Sequence, residues 1–176
     1  MKTQISAKIM KHLAMLVVLC LTAGALTVAA NANNLAAKVK GKGIATMVAT
    51  ADDVVFGAFE EGDSFADNHF EIKGNVNPDG SASGSATFVF GEEFSTIWGA
   101  DDITLECEID TGTINEDGTV VLQGLSFEQD FVDGVVTFEE LSPFEIIIDP
   151  SGSFSLRWCA TPALELEITK GHLQVK

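Results

Sequence analysis

The stretch "VNPDGSASGSATFVFG", residues 76–91, admits two readings, and the choice between them decides the fold. Asn75, Asn77 and Asp79 stand two apart just before Gly80, which is how a calcium-binding loop begins. The same residues also spell a tight turn between strands. The twelfth position of an EF-hand loop needs a bidentate Glu, and here it is Ala86. Two siblings further on favour the turn: "NEDG" at 115–118 and "DPSG" at 149–152 share the grammar of "NPDG" at 77–80. An Asx side chain opens each, and a Gly in the left-handed region closes a bulged hairpin around a type I turn.

Between these turns the apolar residues alternate. "HFEIKGNV" places Phe70, Ile72 and Val76 on one face, "SATFVFG" does so with Ala86, Phe88 and Phe90, and "ALELEIT" with Leu164, Leu166 and Ile168. Further strands are expected in "KGKGIATMVAT", "DITLECEID", "GTVVLQGLSF", "GVVTFEEL", "PFEIIID" and "FSLRWCA", making about nine. No segment after the N-terminal region sustains a helical period over ten residues. The expected fold is all-β, a single antiparallel β-barrel or β-sandwich of about 8–10 strands. Lys38, Lys40 and Lys42 alternate near one end of the chain, as Glu165 and Glu167 do near the other. Facing rows of opposite charge stabilise a strand pair, so the first and last strands are expected to be neighbours; the competing reading makes both of them solvated edges.

Residues 1–32 read as a cleaved signal peptide and 33–176 as one β-domain. Lys2, Lys8 and Lys11 precede the apolar run "LAMLVVLCLTAGALTVAA", which ends in the small-residue pattern Ala30-Asn31-Ala32. The run approaches the roughly 18 residues of a spanning helix, but Gly24 and the alanine-rich end favour cleavage, leaving no membrane span and a secreted or periplasmic product. The remaining 144 residues suit one core. They carry seven Lys/Arg against 26 Asp/Glu, a net charge of −19 that repels phosphate backbones and argues against nucleic-acid partners.

Two cysteines survive cleavage, and an oxidising compartment favours a Cys107–Cys159 bridge, worth roughly 4 kcal/mol across its 52-residue span. Cys107 shares the apolar phase of "ITLECEI", whereas Cys159 is out of phase with Phe154, Leu156 and Trp158 and needs a bulge to turn inward. The alternative is a pair of buried thiols.

Catalytic motifs are sparse. His69 and His172 lack metal-ligand spacing, and no nucleophile elbow, phosphate-binding glycine loop or Cys-His arrangement is present. Acid doublets abound, and Glu60, Glu61 and Asp63 are the candidate ligands for calcium, against the plainer reading of a charged rim. Arg157, Trp158 and Trp98 are the candidate ligand contacts, the arginine for an anionic group or a structural ion pair and the tryptophans as platforms.

These features predict an exported, non-enzymatic binding or surface-matrix protein needing no cofactor. Its partner is expected to be a small apolar or carbohydrate ligand if the barrel holds a cavity, and another protein if a strand edge is exposed. Two alternatives stand beside it: a small barrel enzyme, a carboxylate-based hydrolase or isomerase, and a calcium-stabilised structural module. Convergent acids in a pocket point to the enzyme, and a phenylalanine-closed core to the binding protein.

Overall fold

A computed structural model describes residues 36–53, 57–159 and 161–176. The signal peptide expected over 1–32 lies outside the described residues.

Alternation translates directly into strands: β1 (Ala37–Ala49), β2 (Ser64–Val76), β3 (Ser81–Phe90), β4 (Asp102–Ile114), β5 (Val120–Val132), β6 (Val135–Ile148), β7 (Phe154–Trp158) and β8 (Leu164–Val175). Each pairs antiparallel with the next, and β1 pairs with β8, closing an eight-stranded barrel. A short helix, α1 (Glu92–Ile97), joins β3 to β4. The barrel thus decides between the two expected architectures.

The three recurring turns all sit at one end of the barrel, linking β2–β3, β4–β5 and β6–β7. In each, the Gly N–H donates to the carbonyl of the opening Asx residue, at 3.1 Å for Gly80, 3.0 Å for Gly118 and 3.0 Å for Gly152. Asp79 Oδ1 accepts from Ser81 N–H and Oγ–H, so the acid that suggested calcium closes the turn instead.

Eight strands leave an interior just wide enough for side chains. Phe70, Phe88, Phe90 and Phe154 fill it with Ile72, Leu105, Leu122, Ile146 and Leu156, all buried. At the opposite end α1 acts as a plug. Phe94, fully buried, points inward against Phe65 (5.3 Å between centroids), Phe90 (5.0 Å) and Trp158 (6.1 Å).

Asn68 fixes that plug. It follows Asp67, whose φ of 58° marks a bulge in β2 that breaks register with β1 between Ala45 and Met47. Its buried side chain donates to the carbonyls of Phe65 (2.7 Å) and Ala45 (3.3 Å) and accepts from Gly91 N–H (2.9 Å), the residue that opens α1. One amide therefore satisfies the bulge and anchors the helix.

Three expectations need correction. "GVVTFEEL" and "PFEIIID" are one strand, β6, running through Pro143. Pro143 accepts Cys159 N–H through its carbonyl (3.1 Å), so its missing N–H falls on the same side, where β7 ends and no ladder bond is needed. The first and last strands do pair, but not through facing charges: Lys40 and Lys42 oppose Gln174 and His172, while Glu165 and Glu167 oppose Val48 and Thr46. The Cys107–Cys159 disulfide does not form. Cys107 faces inward on β4 and Cys159 ends β7, with β5 and β6 between them. Three strand spacings of the barrel wall lie between them. Instead of a bulge, a left-handed turn at Cys159 (φ 52°) stops the strand.

Replacing Asn68 by Ala leaves two carbonyls and one N–H unsatisfied, and is expected to destabilise the fold by about 1–3 kcal/mol in a urea melt. Digestion of the folded protein without reductant is expected to release Cys107 and Cys159 on separate peptides; a linked pair would contradict this packing.

Candidate functional site

The inner face of the β5–β6 hairpin changes character along its length. At its open end, beside the three Asx–Gly turns, it is apolar, with Val120 and Leu122 beside Ile146 and Ile148; midway it narrows to Ser126 and Ser142, whose hydroxyls meet at 3.2 Å. Two residues on, in the same inward phase, come Glu128 and Asp130 on β5 and Glu140 on β6. Carboxylates occupy positions that strand parity assigns to the interior.

A gap in the wall keeps these acids from being sealed in. β7 has only five residues and pairs with β6 from Phe144 to Ile148, so the first half of β6 has no strand partner on that side among the described residues. The acids, the end of β7 and α1 enclose a pocket of about 350 Å³ there, at the small end of ligand-pocket sizes. Trp158 and Thr161 form one side, Trp98 at the end of α1 another, and Phe138 the β6 side. Trp158 stacks on Phe90 at 5.1 Å, which fixes its ring against the core.

The electrostatics are unusual because no Lys, Arg or His lines the pocket among the described residues. Glu128 accepts a 2.8 Å hydrogen bond from Trp158 Nε1–H. Burial nevertheless pushes its carboxyl up to about 7, against the lowering effect of that bond and with repulsion from Asp130 and Glu140 adding to the rise. Burial also raises Asp130, which is only 9% exposed. Its Oδ1 is sealed from solvent and has no hydrogen-bond partner among the described residues. Glu140 lies 4.0 Å from Cys159 Sγ.

Of the residues singled out from the sequence, Trp98 and Trp158 come together in this pocket. Arg157 does not join them: strand parity turns it outward, opposite Glu145, whose carboxylate is already held by Gln123 at 2.7 Å. Glu60, Glu61 and Asp63 lie at the β1–β2 connection and organise backbone. Asp63 accepts from Glu60 N–H and Asp52 from Glu61 N–H, both at 2.9 Å. No group of three or more metal-ligating side chains converges among the described residues. His69 and His172 lie exposed on the outer face. The residues that sequence reasoning missed are Glu128, Asp130 and Glu140; continuing the alternation from Val120 would have placed them inside.

Comparison with protein families, curated proteins and solved structures finds no match. No helix among the described residues is long and apolar enough to cross a membrane.

The folded chain holds the Glu128 proton up to about pH 7, whereas an ordinary glutamate releases it near 4.5. The unfolded state therefore gains stability first as pH rises, and folding loses stability across that window. Wild type is expected to show a fall in thermal midpoint between those values that Glu128→Gln largely removes; parallel profiles would mean that Glu128 titrates normally.

Proposed function

We propose that this is an exported, non-enzymatic binding protein whose small ligand sits in the pocket between Trp98, Trp158 and the inner acids. The single observation carrying the reading is the pocket of about 350 Å³ in which Glu128, Asp130 and Glu140 meet Trp98 and Trp158. Carboxylates drawn partly out of water against one another cost free energy that a bound donor recovers. Export is supported by the basic, apolar and small-residue order of residues 1–32. The phenylalanine-filled barrel beneath offers a rigid floor and no second apolar chamber is needed for this role, which favours binding over a deep lipid-carrying cavity.

A second reading, carboxylate-based catalysis, is favoured by one feature. Glu128 and Glu140 face each other in register, with Glu128 lifted to about 7. A carboxyl lifted toward neutrality beside a second carboxyl is a starting point for general acid chemistry.

Thermal unfolding of residues 33–176 with a panel of amines, fatty acids, retinoids and oligosaccharides separates these readings. A binder is expected to raise the midpoint in proportion to the logarithm of its concentration and to be recovered unchanged. Loss of that shift in Trp98→Ala places the ligand in this pocket; conversion of the ligand, abolished by Glu128→Gln, would replace binding with catalysis.

A further inference from the structure

Resting on the pocket reading, we infer that the ligand is a small organic cation, an ammonium group carried on an apolar or aromatic body. Charge is the first argument. Three inward acids line the pocket with no basic residue beside them among the described residues, although the barrel is not short of cations: Lys38, Lys40, Lys42, Lys73 and Lys170 are all exposed on β1, β2 and β8, and Arg157 is exposed on β7. A bound cation would neutralise repulsion that the fold leaves uncompensated. Hydrogen bonding is the second. An ammonium group offers up to three donors, and the carboxyl-bearing residues Glu128, Asp130 and Glu140 line the pocket. The tryptophans are the third. Indole rings attract cations, and Trp98 and Trp158 line the same pocket as the acids, which favours an ammonium over a neutral group of the same shape. The site does not suit a bare metal ion, because no three ligating side chains converge among the described residues; a cage of about 350 Å³ has room for an organic body.

Trp98 and Trp158 are the only tryptophans of the chain, so intrinsic fluorescence reports on this pocket alone. Benzylamine, a cation at neutral pH, is titrated against the isosteric but uncharged benzyl alcohol. At about pH 8, above the value to which Glu128 is raised, benzylamine is expected to bind at least about tenfold tighter. The preference is expected to shrink toward about pH 5 as Glu128 takes up its proton. Asp130→Asn, which keeps size and removes charge, is expected to abolish the preference while far-ultraviolet circular dichroism confirms that the barrel persists. Equal binding of both probes would overturn the cation while keeping the pocket. A response to neither would overturn the cation as well, and the pocket would then stand or fall on the neutral ligands of the thermal panel.

Discussion

Hydrogen bonding between β1 and β8 closes an open meander into a barrel, with a gap where the short β7 leaves part of β6 unpaired among the described residues, and the remaining features follow from that closure. Close approach is its requirement. Gly43 of β1 faces Gly171 of β8, and a Cβ on Gly171, whose φ is 111°, would collide with the Lys42 carbonyl. Once the ladder is continuous, inward residues have nowhere to go but a cylinder filled by one layer of side chains. Phenylalanines pack most of its length. At the helix end, α1 and Phe94 plug part of the mouth, and the five-residue β7 leaves the rest open.

Much of this was legible because it is local. An Asx residue and a Gly set two places beyond a turn's centre specify a bulged hairpin wherever they fall, and three copies fixed which strands are neighbours. Parity did the same for burial: Phe70, Ile72, Ala86, Phe88, Leu164 and Leu166 all face inward as their alternation requires. What was not legible depends on partners remote in sequence. Pro143 reads as a break, and is tolerated only because the strand beside it happens to stop. The lysine and glutamate rows named the right pair of strands for the wrong reason, since register across β1 and β8 is set by a bulge between Ile44 and Ala45 rather than by charge.

The candidate site was half legible, and the missing half has a physical explanation. Trp98 and Trp158 stand out by rarity, but Arg157 cannot accompany Trp158 into one pocket, because adjacent strand residues point to opposite faces. The doublet Glu139–Glu140 obeys the same rule. Glu139 faces outward to Gln129, which donates to it at 2.8 Å, and Glu140 faces inward. Among so many acids, identity says nothing and phase says everything; Glu128 and Asp130 are distinguished only by continuing the row that begins at Val120.

Phase also sets what those acids cost. An outward carboxylate on this protein is solvated and stabilises its surface, whereas an inward one must repel its neighbours and give up water. The structure shows both consequences, in a glutamate raised to about 7 and an aspartate oxygen without a partner. An apolar residue in place of Glu128 would take away the acceptor of the Trp158 Nε1–H, although replacing buried charge by apolar volume is otherwise commonly neutral or stabilising. Folding therefore accounts for Glu128 more readily than for Asp130 and Glu140. The proposed ligand would supply a reason for those two: free energy withheld from stability becomes available on binding, and the groups that cost most in folding are those that discriminate most sharply between a charged guest and a neutral one.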